Sequence, residues 1–371
     1  MKKVCVSVIN DLVTDQRVHK VCTTLHAMGF AVTLIGREQR ASLPLAARAY
    51  RTRRMKLLFE KGVLFYAFFQ LRLFFVLLFR KAHVLVANDL DTLLPNYLVS
   101  KLKGIPLVYD THEIFTEVPE LTGHTFKQNT WRRLERWMFP KLKHVFTVNQ
   151  SISDWYYDKY KVRPAVVRNM PRKKSGAVTP VSKRALGLPE DKKIVILQGA
   201  GINVDRGSEE LVEAMKYLDD VVLLIVGSGD VIDRLKEISA KEKLQDRVIL
   251  TGKVPHEKLK QYTMIADMGV TLDKDTNINY RFSLPNKIFD YIHAGIPVLC
   301  SDLPEVARIV REYKVGAVIS SHDPKHIAAT IKSAFSSEEY ATWKQNTHRA
   351  AEELCWEADE QTLKTVYSRY L

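Results

Sequence analysis

Cysteine is scarce in this 371-residue chain, and Cys5, Cys22, Cys300 and Cys355 stand far apart with no C-x-x-C spacing. That scatter predicts free thiols, no zinc site and a reducing, cytoplasmic setting. The opening MKKVCVSVIN has no long apolar stretch of the kind a secretory signal needs. Acidic residues are also few: 42 Asp and Glu face 56 Lys and Arg, for a formal net charge of +14. Such an excess calls for an anionic partner. No nucleic-acid-binding module accompanies it, so nucleic acid is not the expected one. A third glycine is missing after Gly199-Ala200-Gly201, which excludes the nicotinamide-dinucleotide fingerprint.

The positive charge is unevenly placed. Arg51, Arg53, Arg54, Lys56, Arg80 and Lys81 flank an apolar stretch, 57–79, interrupted by Glu60, Lys61, Gln70 and Arg72. The stretch is long enough to cross a bilayer, but an internal Arg costs about 2.5–3.5 kcal/mol on insertion scales. Helices lying on an anionic membrane surface, broken near Gly62, are the favoured expectation for 51–81. The alternatives are helices packed on a sheet and a true span. A second basic cluster, Lys127, Arg132, Arg133, Arg136, Lys141 and Lys143, is interleaved with Trp131, Trp137 and Phe139.

Short apolar strands alternating with helical patterns predict parallel sheets covered on both faces. They read at 2–10, 31–35, 84–87, 107–109, 144–148 and 166–168, then at 192–199, 221–226, 248–250, 268–272, 297–300 and 316–319. Both halves open alike, with a Lys-Lys pair running into an apolar strand and a polar loop. The expected organisation is a domain over 1–168, a proline-rich linker over 169–191, a second domain over 192–351, and a final helix over 352–371 returning toward the first.

Ligands of open parallel sheets sit beyond the carboxyl ends of the strands, so those loops carry the candidate chemistry. After the first strand, Asp11 or Thr14 can cap the next helix. Asn88-Asp89-Leu90-Asp91 spells D-x-D, which reads as a helix start before it reads as a metal site. Asp110-Thr111-His112-Glu113 places a histidine between acids, suited to orient or donate to a substrate oxygen. In the second half, Gly199 and Gly201 permit close backbone approach and Arg206 can bind an anion. Gly227 and Gly229 mark a second glycine-bearing strand end, and Gly252-Lys253-Val254 a third, whose main chain suits a nucleobase edge. In 283–298, Pro285 suits a first helical turn and Gly295 with Pro297 ends the helix. Asn286 and Lys287 then lie at its start, with Asp290 on the same face as Lys287. A cation there suits a diphosphate, and a carboxylate one turn on suits ribose hydroxyls. An ordinary surface Lys–Asp pair is the competing reading.

The ordered set of glycine loop, V-G-x-G, G-x-V and a basic-acidic helix ending in A-G-x-P-V resembles the GT-B retaining glycosyltransferases of family 4, the group 1 transferases. The resemblance spans essentially the whole chain. It implies two Rossmann-like α/β domains facing a cleft, with a C-terminal helix crossing their junction. It also implies a nucleotide diphosphate sugar as donor, with no metal or other cofactor required. By that resemblance Arg206 and Lys287 hold the diphosphate, Asp290 the ribose, and Gly252, Lys253 and Val254 the base. His112 then lies near the transferred sugar, with Asp11, Asp89 and Glu113 on the acceptor side. The acceptor is expected to be a glycan, a lipid or a lipid-linked glycan at the cytoplasmic membrane face. Two positions depart from the family. Phe282 stands where the first of two glutamates is usual, and Ala200 where an arginine is common; Arg281, Asn279 or Asp273 are the nearby substitutes. These departures keep open a silent nucleotide-binding subunit of a membrane assembly, with a nucleotide-sugar epimerase as the other enzymatic alternative.

Overall fold

The computed structural model describes residues 1–13, 15–40, 42–121, 123–173 and 181–371. Thr14, a candidate cap, and part of the expected linker, 174–180, lie outside them. The chain divides into two compact units, Met1–Asn169 with Asp359–Leu371, and Met170–Ala358.

The first unit holds a seven-stranded parallel sheet built from β1 (Lys3–Asp11), β2 (Ala31–Glu38), β3 (Arg51–Lys56), β4 (Val84–Asn88), β5 (Leu107–Asp110), β6 (His144–Thr147) and β7 (Ala165–Val166), in the order β3-β2-β1-β4-β5-β6-β7. The second holds a six-stranded one, from β8 (Lys193–Gly199), β9 (Val221–Gly227), β10 (Val248–Gly252), β11 (Met268–Thr271), β12 (Val298–Ser301) and β13 (Gly316–Ile319), in the order β10-β9-β8-β11-β12-β13. Strand order reverses between β1 and β4 and again between β8 and β11. Those two points are where a parallel sheet opens a crevice at its carboxyl edge.

The central strands are buried on both faces, as their unbroken apolar runs require. In the second unit Val195, Leu197, Leu223 and Ile225 feed one core, while Ile194, Ile196, Val222 and Leu224 feed the opposite one. Every strand expected from sequence is present, with ends within three residues. β3 is the addition, because RTRRMK lacks an apolar alternation and only Met55 is buried. Charge on such a strand suits the sheet edge it occupies, where it discourages pairing with another chain.

This corrects the expected helical segment over 51–81. Its first residues are β3, and one helix, Gly62–Leu78, follows instead of a pair broken at Gly62. Phe65, Phe69, Leu73 and Leu77 recur every four residues and pack on Cys5, Ile35, Met55 and Leu85. Burying each such side chain is worth about 1.5–3 kcal/mol. No helix among the described residues is long and apolar enough to cross a membrane.

Two further boundaries shift. The first helix, Gln16–Ala27, is capped by Asp15, whose carboxylate accepts from Val18 N at 3.0 Å, and not by Asp11. The last expected helix begins later, at Trp356, after a separate helix Glu339–Glu353. Its end belongs to the first unit: Asp359 pairs with Arg168 at 2.8 Å, and the buried Tyr367 stacks on Phe146.

Candidate active site

In the second unit the crevice between β8 and β11 is lined by charge. Arg206 Nη1 meets Asp273 Oδ2 at 2.6 Å, and Ser283 Oγ donates to the same oxygen at 3.2 Å. Asp273 is 1% exposed, and its other oxygen has no partner among the described residues. Gly207, at φ +69, makes this pairing possible. A β-carbon there would fall 2.2 Å from Leu272 O, so only glycine lets the Arg206 loop lie against the end of β11. The Arg206 guanidinium also lies 4.5 Å from the centre of the Tyr280 ring.

Lys287 opens the helix Lys287–Ala294, which Gly295 ends in a left-handed turn as expected. Pro285 sits just ahead of the helix, not in its first turn. Burial lowers the Lys287 ammonium below the ordinary lysine value; Arg206 adds to that and Asp273 opposes it. Arg206 pairs with Asp273, and the Lys287 ammonium feels both, so the local balance is one positive charge in excess. Asp290, one turn on, accepts from Gln198 Nε2 at 3.2 Å, and Gln198 Oε1 accepts from Thr263 Oγ at 2.7 Å. Lys287 and Asp290 thus face different partners, which argues against a simple surface pair.

The glycines divide by physical need. Gly227 and Gly229 serve chain packing, because a β-carbon on either would lie 1.8 Å from Gly199 O or Ile202 O. A β-carbon on Gly199 or Gly201 would meet only ordinary contacts, at 3.9 Å from Gly201 N and Asn203 Nδ2, and at Gly252 the backbone is left-handed at φ +70 with nothing within 4 Å. Lys253 is exposed and Val254 half-buried, while Asn286 is exposed beside Lys287.

In the first unit, Asp110 ends β5 and takes a two-pronged contact from Arg17, Nη2 to Oδ1 at 2.7 Å and Nε to Oδ2 at 3.2 Å, both side chains being buried. Burial opposes the charge on Asp110, but Arg17 and His112 override it and hold the carboxyl well below the usual range. His112 lies between two carboxylates: Nδ1 is 3.1 Å from Asp89 Oδ2 and Nε2 is 3.7 Å from Asp110 Oδ2. Its backbone N–H donates to Asp89 Oδ1 at 2.8 Å. Burial works against protonation here, yet Asp89 and Asp110 raise the imidazole well above its ordinary value. A doubly protonated ring is a donor and not a base. Asp89 is left-handed at φ 57, so this placement is held against a backbone preference.

The neighbouring positions are occupied differently. Asp91 is buried, and burial followed by Asp89 pushes its carboxyl up. Asp89 is committed to His112 and Asp91 is pushed toward its neutral form, so D-x-D does not present a pair of free charged ligands. Asp11 takes Ser42 Oγ at 2.5 Å and Arg54 Nη2 at 3.3 Å. Glu113 contributes its carbonyl to Thr111 and Tyr156.

Residues 178–350 match the family model described as Glycosyl transferases group 1, and residues 15–172 match Glycosyltransferase Family 4. The chain belongs to the group 1 glycosyltransferases. Among curated relatives, the putative teichuronic acid biosynthesis glycosyltransferase TuaC of Bacillus subtilis (strain 168) is 26% identical over 44% of this chain and 37% of its own length. The chain thus spans well under half the length of the first curated relatives it matches. Sucrose-phosphate synthase from Thermosynechococcus elongatus superposes at a TM-score of 0.82 and 17% identity, covering 100% and 99% of the two chains. Anabaena HepE in complex with UDP-glucose does so at 0.75 and 15%, covering 100% of both. At such identities the likeness is one of fold, GT-B.

In this group 1 family member the sequence singles out Arg206, Lys287, Asp290 and His112, and the structure puts each at a strand's carboxyl edge or a helix start. Arg206 and Lys287 act on one another electrostatically, while Asp290 bonds to Gln198. Two residues escape it. Arg17 lies in a polar loop-to-helix stretch with no motif to mark it. Asp273 is visible only as one of three substitutes, and of these Arg281 instead pairs with exposed Asp275 at 3.5 Å.

Proposed function

We propose that this chain transfers a sugar from a nucleoside diphosphate sugar, held by the second unit, to a lipid or lipid-linked glycan acceptor. The observation that carries the donor reading is Arg206 paired with the buried carboxylate of Asp273 at the strand end, with the Lys287 ammonium at the start of the next helix within the electrostatic reach of both. A diphosphate supplies the negative charge this arrangement lacks, and the ribose hydroxyls suit Asp290. UDP-glucose in HepE supports the same donor class. As the bond from the sugar's C1 to the phosphate oxygen breaks, charge grows on the leaving diphosphate, where fixed cations help most. They fill the electrostatic role a metal has elsewhere, so no cofactor is invoked.

Retention of configuration is part of the proposal. His112, protonated between Asp89 and Asp110, does not take the acceptor's proton. That proton passes to the departing phosphate oxygen as the new C1–O bond forms on the face the nucleotide leaves. NMR of the product anomer checks this, and inversion would remove it. A thermal-shift screen tests the donor reading: a nucleoside diphosphate at 100 times its dissociation constant should stabilise the protein by about 2.7 kcal/mol. No shift with any nucleotide or nucleotide sugar would refute it.

Lys287 predicts a pH dependence. Its pKa is lowered in the free protein and rises when a diphosphate binds. Affinity should be full below the free protein's value, fall as pH rises through that lowered value, and be accompanied by proton uptake. Calorimetry in buffers of different ionisation enthalpy measures that uptake. A Lys287→Met variant should lose it, and a pH-independent wild type would contradict the assignment.

The acceptor reading rests on the outer face of the helix Gly62–Leu78. Val63, Leu64, Leu71 and Phe75 are exposed there, and Arg51, Arg53 and Lys56 of the neighbouring edge strand are exposed too. An apolar ridge flanked by cations suits an anionic bilayer surface. Sedimentation with liposomes tests it: Leu71→Asp with Phe75→Asp should abolish co-sedimentation without moving the melting temperature. Wild-type protein that stays in the supernatant at low salt would overturn it.

A further inference from the structure

At the opposite edge of the first sheet, a cavity of about 510 Å³ opens at the amino ends of β1, β2 and β3. Lys3, Arg51, Arg80 and Lys81 line it together with Tyr50 and Phe79, and among the described residues that line it none is acidic. It is separate from the cluster of Asp89, Asp110 and His112. Those residues stand at the carboxyl ends of β4 and β5, while the cavity starts at Lys3 and Ala31, the first residues of β1 and β2. In a parallel sheet these are opposite edges.

The field in the cavity is strongly positive. Cys5, 2% exposed and part of the lining, is pushed up by burial, while Arg80, Lys103 and Lys3 pull it the other way. The helix Gly62–Leu78 ends here, and a helix's carboxyl end would ordinarily repel an anion. Lys103 cancels that effect: its Nζ donates to Leu77 O at 3.0 Å and Arg80 O at 2.7 Å. Arg80 is steered by Thr33, whose Oγ accepts from Nη2 at 3.3 Å. Such a pocket fits a phosphate, the anion that several converging cations bind best.

The rim says what carries the phosphate. Phe79 lines the cavity yet is 82% exposed, and its ring stacks on Phe75, a member of the apolar ridge, at 6.2 Å and 9°. Charge within and aromatic surface beside it match a headgroup with acyl chains attached.

We propose that this cavity seats the headgroup phosphate of an anionic membrane phospholipid, so that the chain selects its membrane as well as lying on it. The inference rests on the membrane-facing reading above, and the two are tested separately. Full-length protein is sedimented with phosphatidylcholine vesicles, with and without phosphatidylglycerol. Binding to phosphatidylcholine alone reports the ridge; the gain from phosphatidylglycerol reports the cavity. Arg51→Gln with Lys81→Gln should lower binding to the anionic vesicles about 30-fold, as roughly 1 kcal/mol per cation implies. It should leave binding to phosphatidylcholine unchanged. Arg53→Gln with Lys56→Gln removes equal charge from the same edge without touching the cavity, and should cost measurably less than the cavity pair, leaving only the surface attraction those two cations supply to the ridge. Equal losses from the two pairs would mean a diffuse surface field and overturn the proposal, as would no loss from the cavity pair. Glycerol 3-phosphate provides the soluble arm. Weak competition at millimolar concentration is expected, and tight binding of it with no preference for anionic vesicles would make the cavity a site for a free phosphate ester instead.

Discussion

Replacing Lys287 by methionine should reduce sugar transfer by about 10²–10³-fold, the cost of removing one fixed charge-stabilising group from a developing anion. The loss should appear in kcat more than in KM, because the leaving diphosphate gains charge only as the glycosidic bond breaks. Lys287 is the cleaner of the two cations to remove. Arg206 is the ion-pair partner of Asp273, so Arg206→Ala would strand a carboxylate that is 1% exposed. Such stranding costs about 3–5 kcal/mol of stability and would mix folding with catalysis. Arg206→Lys keeps a charge near Asp273 and loses the planar fork, and is the better partner for a double-mutant cycle. Steady-state kinetics with melting temperatures for Lys287→Met, Arg206→Lys and the double variant separate the contributions. Lys287→Met with near-normal kcat would end the assignment of leaving-group stabilisation to this residue.

The second large effect is on stability. Arg17→Met should destabilise the first unit by about 3–5 kcal/mol, since it leaves Asp110 charged, buried and without its two-pronged partner. Arg17 Nη1 also donates to Val167 O at 2.6 Å, so one guanidinium ties the first helix to β5 and to the segment after β7. Asp110→Asn combined with Arg17→Met should recover part of the loss, because no unpaired charge remains. Urea unfolding, read at the first unit's transition, measures both. A loss below about 1 kcal/mol for Arg17→Met would place the pair among weakly coupled surface contacts.

The pH dependence of this cluster has two signs. Asp110 is held below its unfolded value of about 3.9, so its contribution is complete above that pH and is lost as pH falls through the folded value. Wild type and Arg17→Met should therefore converge in acid. His112 is raised, so its contribution is complete below about pH 6.5 and is lost as pH rises through its folded value. The cluster supports the fold best between these limits.

Much of the architecture is legible in the residues because a strand buried on both faces must be apolar throughout. Val221-Val222-Leu223-Leu224-Ile225-Val226 can be little else between turn signals. β3 escapes for the converse reason: an edge strand with one inward side chain, Met55, leaves its other positions to charge. The helix Gly62–Leu78 misleads in a similar way. Apolar at nearly every position but Gln70 and Arg72, it gives too little periodicity to tell its buried face, Phe65, Phe69, Leu73 and Leu77, from its exposed one.

The candidate site divides along the same line. Spacing between neighbours in the chain is enough to put Lys287 and Asp290 on one helix ended at Gly295, because a helix turn is a local property. The sequence alone likewise determines the two parallel-sheet halves and the strand-end loops where polar residues gather. The rest depends on long-range packing. Arg206 finds Asp273 because Gly207 lets one loop lie against the end of β11, and Arg17 finds Asp110 because the first turn of the first helix lies beside the end of β5. His112 is pushed toward its protonated form because two carboxylates from different strand ends close on it. The cavity of Lys3, Arg51, Arg80 and Lys81 exists because parallel strands bring their amino ends to one edge. Pairings between residues distant in the chain are set by which strand lies beside which, and no local pattern encodes that choice.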